Sequence, residues 1–239
     1  MKAILLAAGR GERMRPLTDH CPKPLLKARG KPLIEWHLEA LARGGVREVV
    51  INTAWLEQQI VDSLGDGARF GMHIRYSMEG RDHGGALETA GGLKNALPLL
   101  TGSARGDACR CFWYVAADVF APEFRFDAGC AQAFEHGAAL ARLWMVQNPP
   151  QHPDGDFAMA AGLATPGAAG EPRFTWSGIG LFKPAFVDEL MTDLAPGAKA
   201  KLRHYLMHAM ALGRLEATLY SGPWVDVGTP ERLTALQVA

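Results

Sequence analysis

Backbone and charge suited to phosphate are concentrated in one early stretch, Ala7-Ala8-Gly9-Arg10-Gly11-Glu12-Arg13-Met14-Arg15-Pro16-Leu17-Thr18, followed by Pro22-Lys23-Pro24. Small residues leave backbone N–H groups unshielded, so phosphate oxygens can come close. Arg10, Arg13, Arg15 and Lys23 add positive charge nearby. The stretch is a candidate triphosphate cradle, or else a glycine-rich turn edged with solvated arginines. Two familiar phosphate motifs are excluded: Gly9-x-Gly11-x-x-Met14 lacks the third glycine of the dinucleotide fingerprint, and no Gly-x4-Gly-Lys-Ser/Thr occurs.

Two acids suggest chemistry of another kind. Asp118 follows the apolar run Phe112-Trp113-Tyr114-Val115 and precedes Val119-Phe120. A lone carboxylate there is costly without a cation or hydrogen bonds. Asp226 lies in Trp224-Val225-Asp226-Val227-Gly228-Thr229, again between apolar neighbours. Each has a plainer reading, Asp118 as a turn cap and Asp226 as an acid leading into a helix opened by Thr229-Pro230.

The elements that must position these residues alternate. Lys2 to Leu6 reads as a buried strand, Leu33 to Leu41 as a helix stopped by Gly44-Gly45, Val46 to Ile51 as a strand and Trp55 to Leu64 as a helix. A strand over His73 to Tyr76, a helix over Thr89 to Leu100 and a strand over Arg110 to Ala116 continue the rhythm. Further on, strands are expected at Ala139 to Val146, Trp176 to Phe182 and Leu215 to Tyr220, with Thr165 to Pro172 as a hairpin loop. Helices are expected at Pro184 to Met191, Leu202 to Leu212 and Pro230 to Val238. Such alternation implies an α/β fold with a Rossmann-like, mostly parallel mixed sheet flanked by helices, whose ligands sit beyond the strands' carboxyl ends.

Length and charge narrow the partners. The 239 residues suffice for one substantial core, and 48% hydrophobic with 21% charged residues is ordinary for a soluble globular protein. Lys plus Arg and Asp plus Glu are both 25, so no global field recruits nucleic acid or an anionic membrane. A small ligand is expected. The chain enters its first strand directly, without the pattern of a signal peptide, and no run approaches the ~18 apolar residues of a membrane span. Four irregularly spaced cysteines suit neither a disulfide framework nor paired zinc knuckles, so a cytoplasmic location is expected. The sequence leaves the oligomeric state open and is compatible with a monomer.

Leu6-Ala7-Ala8-Gly9-x-Gly11-x-Arg13-Met14-x-Pro16-Leu17-Thr18 with Pro22-Lys23-Pro24 resembles the signature of the sugar-1-phosphate nucleotidyltransferases. The resemblance continues through Asn52-x-x-Trp55-Leu56, Leu87-Glu88-Thr89-Ala90-Gly91-Gly92, Ser177-Gly178-Ile179 and Trp224 to Thr229. Within that family the chain is most similar to the N-acetylmuramate-1-phosphate uridylyltransferases of cell-wall (peptidoglycan) recycling. The mannose-1-phosphate guanylyltransferases and glucose-1-phosphate nucleotidyltransferases are the alternative, and a catalytically silent sugar-nucleotide sensor a third reading.

The resemblance implies one nucleotidyltransferase domain over residues 1–239, with a nucleotide-binding half at 1–120 and a sugar-binding half at 121–239. It implies Mg2+ held by Asp118 and Asp226, with Arg13, Lys23 and Asp118 as the catalytic set. Ala7, Ala8, Gly9, Gly11, Glu12, Arg13 and Lys23 would meet the nucleotide together with Glu79, Glu88 and Gly91. Val119, Asn148, Asp156, Ser177 and Gly178 would meet the sugar, while Arg10, Arg15, His152, His204 and His208 read as surface groups. The family commonly has Asn-Gly-Asp where this chain has Ala116-Ala117-Asp118, which removes an amide beside the expected metal ligand.

Overall fold

The computed structural model describes residues 1–102 and 109–237. The first half runs β1 (Lys2–Leu6), a short ribbon of β2 (Lys27–Ala28) and β3 (Lys31–Pro32), α1 (Leu33–Arg43), β4 (Glu48–Thr53), α2 (Glu57–Leu64) and β5 (His73–Met78). Then come α3 (Glu79–His83), α4 (Glu88–Thr101), β6 (Phe112–Ala116), β7 (Val119–Phe120) and α5 (Ala128–His136). The remainder is β8 (Ala141–Val146), β9 (Ala158–Ala160), β10 (Leu163–Thr165), β11 (Thr175–Phe182), α6 (Pro184–Leu190), α7 (Leu202–Ala211), β12 (Leu215–Leu219), β13 (Val225–Asp226) and α8 (Pro230–Ala235).

Nine strands form one sheet in the order β5-β4-β1-β6-β11-β8-β12-β10-β9. Only β11 and β10 run against the rest. The mostly parallel sheet read from the sequence is therefore what the chain forms. Residue alternation explains why its central strands are apolar throughout. Ala3, Leu5, Val49, Ile51, Trp113 and Val115 pack with α1, α2 and α5 on one face, while Ile4, Val50, Phe112 and Tyr114 pack with α4, α6 and α7 on the other. A third, smaller core of Met14, Leu26, Ala28, Leu33, Phe120, Val227, Leu233 and Leu236 welds α8 to the residues following β1.

The sequence reading names no element at α3, α5 or the two- and three-residue strands, and it misplaces one turn. Residues 165–172 do not form a hairpin loop. The hairpin is β9–β10, turning at Ala161-Gly162 with both residues at positive φ, and the later segment leads from β10 to β11 on the far side of β8 and β12. Strands of three residues are too short for alternation to reveal them. The last helix ends at Ala235, and its expected end at Val238 lies outside the described residues.

Candidate active site

Strand order reverses at β1, which continues through α1 into β4 on one side and has β6 on the other. Leu6 pairs level with Asn52 and with Ala116, so the glycine loop, Asn52 and Asp118 all emerge at the same edge. Open α/β sheets bind ligands at such a reversal. Asn52 ties the edge together: its Oδ1 accepts from Ala7 N at 2.8 Å, and its Nδ2 donates to Glu79 Oε1 at 2.7 Å. Leu87 N donates to Glu79 Oε2 at 2.8 Å.

Glu79 is corrected by this geometry. Expected at the base edge, it is wholly buried behind the loop with both oxygens engaged. Burial pushes its carboxyl above the usual range, partly offset by the donors from Leu87 and Asn52. These bonds tie the end of β4 to the residue that leads into α4. Gly91, within α4, packs closely against the Ala198 carbonyl. Glu88 stays exposed at φ +62, a conformation that is strained for any residue but glycine.

Within the glycine loop, Gly11 sits at φ +67 with Thr18 and Lys23 carbons 3.1 and 3.2 Å from where a Cβ would stand. Only glycine fits there without displacing Lys23. Thr18 Oγ1 donates to Gly11 O at 2.9 Å, and Trp55 Nε1 donates to Thr18 O at 2.8 Å, pinning the loop from two sides. Ala7 and Ala8 are buried, whereas Gly9, Glu12 and Arg13 are exposed. Arg15 pairs with Asp19 at 2.7 Å, away from the site. Arg10 is not simply solvated: its guanidinium lies 4.1 Å from the centroid of the Trp55 ring.

The two acids meet through a ribbon of two-residue strands. Asp226 of β13 stands opposite Val119 of β7, and Val227 N donates to Asp118 O at 3.2 Å. Asp118 Oδ2 takes a 2.7 Å ion pair from the buried Lys23. Asp226 Oδ2 takes one of 2.6 Å from Arg232, whose same nitrogen donates to Asp226 O at 2.9 Å. Arg232 escaped the sequence reading, although its place one turn into a helix started by Thr229-Pro230 was a usable signal. Arg13 reaches the same corner, with Nη2 3.3 Å from where a Cβ on Gly228 would stand.

His37 of α1 supports this ribbon from within the core. Its Nε2–H donates to Val119 O at 2.8 Å, and burial pushes its imidazole down from 6.5 to about 4. Between those values the unfolded chain binds a proton that the folded chain refuses. Stability is therefore complete above pH 6.5 and is expected to fall by about 3 kcal/mol as pH drops toward 4. Urea unfolding at pH 7.0, 5.5 and 4.5 reads this. His37→Gln, which keeps a donor but does not titrate, should show a shallower slope, and an equally steep loss in that variant would remove His37 as the cause.

Two clefts open nearby, one at Asp226 and one at Ala8 and Arg10 of the glycine loop. The smaller, about 270 Å3, is lined by Val119, Asp156, Ser177, Gly178 and Asp226 together with Trp176, Trp224 and His152. Four of the five residues expected at the sugar are thus brought together. The fifth, Asn148, lies outside this lining and braces the loop, donating to Pro153 O and Arg173 O and accepting from Thr175 Oγ1. His152 belongs here and not on a plain surface, its Nε2 3.3 Å from Asp156 Oδ1. Gly178, at φ +79, lies so close to Ala116 that a Cβ would stand 2.8 Å from the alanine methyl. The larger cleft, about 660 Å3, is lined by Ala8, Arg10, Trp55, Gly80, Arg81 and Gly84 among others.

A glycine loop, a buried lysine and two carboxylates beside a cleft, at the reversal of a doubly wound sheet, make an α/β fold of the kind that binds small ligands beyond its strands' carboxyl ends. The model of the family described as nucleotidyl transferase matches residues 2–157, and the chain belongs to that family. It is 44% identical, over 99% of its length and 97% of the relative's, to an N-acetylmuramate alpha-1-phosphate uridylyltransferase from Neisseria meningitidis serogroup B. A glucose-1-phosphate thymidylyltransferase from Streptomyces griseus is 28% identical over 95% of this chain and 62% of its own. In fold the chain resembles a crystal structure from Bacillus anthracis assigned as a glucose-1-phosphate thymidylyltransferase, with a TM-score of 0.81, 19% identity and coverage of 100% and 94%. The resemblance to sugar-1-phosphate nucleotidyltransferases seen in the sequence is borne out.

Proposed function

We propose that this enzyme transfers UMP from UTP to N-acetyl-α-muramic acid 1-phosphate, giving UDP-N-acetylmuramic acid and pyrophosphate. The observation that carries the reading is the 44% identity along nearly the whole of both chains to a uridylyltransferase of that description. The geometry supports it, since Asp226 lines one cleft, Ala8 and Arg10 of the glycine loop line another, and Lys23 is paired with Asp118. In this reading the nucleotide takes the larger cleft beside Ala8, and the sugar takes the smaller, against Trp176 and Trp224. A phosphate oxygen of the sugar attacks the α-phosphorus of UTP in line with departing pyrophosphate. Lys23 and Arg13 neutralise the phosphates and hold them for that displacement.

Among the described residues no three His, Cys, Asp or Glu side chains cluster as metal ligands. Two carboxylates, completed by substrate phosphates and water, suit Mg2+, which seldom has an all-protein cage. Asp118 and Asp226 would hold the cation, each with Oδ1 left by the ion pair on its Oδ2. When bound, Mg2+ supplies charge stabilisation at the reacting phosphates. No helix among the described residues is long and apolar enough to cross a membrane, and the four cysteines are free, which agrees with work in a reducing cytoplasm during peptidoglycan recycling.

Pyrophosphate release tests the reading. With UTP and Mg2+, kcat/KM should be highest for N-acetylmuramic acid 1-phosphate, ahead of N-acetylglucosamine 1-phosphate and glucose 1-phosphate. Better use of mannose 1-phosphate with GTP, or of glucose 1-phosphate, would replace this assignment. No release from any pair would leave a binding protein.

A further inference from the structure

Resting on the muramic acid reading, we propose that Arg203 is a specificity-determining residue that receives the lactyl carboxylate of the acceptor. That carboxylate is what separates muramic acid from glucosamine, so a site that selects it needs a cation away from the phosphate end. The smaller cleft is lined by Asp226, by Val119, which pairs with it, by Gly178 and by Asp156, whose Oδ2 accepts from Trp176 N at 2.8 Å. A sugar with its phosphate at Asp226 shares this lining with Asp156.

Arg203, on the first turn of α7, stands beside Asp156, just outside the cleft's lining. Its Nη1 is 3.6 Å from Asp156 Oδ1, and its guanidinium lies 4.9 Å from the centroid of the Phe157 ring. The ring and the carboxylate orient the guanidinium without using it up: its side chain is 57% exposed, and 3.6 Å is beyond hydrogen-bonding distance. Its fork of donors remains available to take a carboxylate in two parallel bonds. Lys23 and Arg232 are engaged, with Asp118 and Asp226, and Arg13 stands by Gly228 at the phosphate corner. Asp156 Oδ1 also lies 3.3 Å from His152 Nε2, so Arg203 is not its sole neighbour.

The test compares N-acetylmuramic acid 1-phosphate with N-acetylglucosamine 1-phosphate, UTP and Mg2+ being saturating, in wild type, Arg203→Met and Arg203→Lys. The methionine keeps an apolar stem against Phe157. The muramic-to-glucosamine ratio of kcat/KM should fall tenfold or more in Arg203→Met, mainly through the muramic KM, with partial recovery in Arg203→Lys. Raised ionic strength should lower the wild-type ratio. An unchanged ratio, or parallel losses for both sugars, overturns the proposal and reduces Arg203 to a packing residue. Wild type reads the underlying assignment separately: no muramic preference there overturns both, whereas a preference that survives Arg203→Met overturns this proposal alone.

Discussion

Asp118→Asn and Asp226→Asn are each expected to lower turnover by about a thousandfold, or about 4 kcal/mol of transition-state stabilisation. Asp226 lies on one strand of a minimal ribbon and Asp118 directly before the other, and each keeps one oxygen clear of its basic partner. Asparagine has nearly the same shape but no charge, so loss of the cation's anchor is isolated from loss of packing. The fold should survive, because the Asp118 side chain is 42% exposed and an ion pair so placed adds little stability. Pyrophosphate release at saturating Mg2+, with circular dichroism as the folding check, decides it. Near-normal turnover in either folded variant would exclude that residue from the cation site.

Lys23→Met should lower kcat/KM by about a hundredfold, through both a higher nucleotide KM and a lower kcat. Lys23 is 6% exposed, with proline on either side and its ammonium on Asp118. A charge already desolvated and aimed at the acid corner loses little freedom when it docks on phosphate. It also keeps Asp118 in place before substrate arrives. Arg13→Ala should act in the same sense but more weakly, since that side chain is exposed. Change confined to the sugar phosphate KM would mean that Lys23 serves the acceptor.

Much of this was legible in the chain because local chemistry dictated it. The run Lys2 to Leu6, apolar on both faces, read as a buried strand and is the sheet's central β1, and the small residues after it read as a loop at its carboxyl end. Asp118 stood out as an acid at the end of Phe112 to Val115, and it lies level with that loop. What escaped depended on contacts between distant segments. Glu79 reads as a polar contact until Asn52 and Leu87 are seen to bury it. His152 reads as a surface group until the loop that Asn148 braces brings it beside Asp156. Arg203 had no signal at all, since its meaning lies wholly in its neighbours.

The ribbon also sets a timetable for biosynthesis. A nascent chain that has released residues as far as β12 already owns its sheet, its glycine loop and Asp118. It lacks the second acid, which arrives with β13, and the α8 side chains Leu233 and Leu236 that weld this segment to Met14 and Leu33. A chain cut before Val225 would thus lack Asp226 and also the apolar side chains that pack on Met14 beside the glycine loop, so the corner is completed from both ends of the sequence.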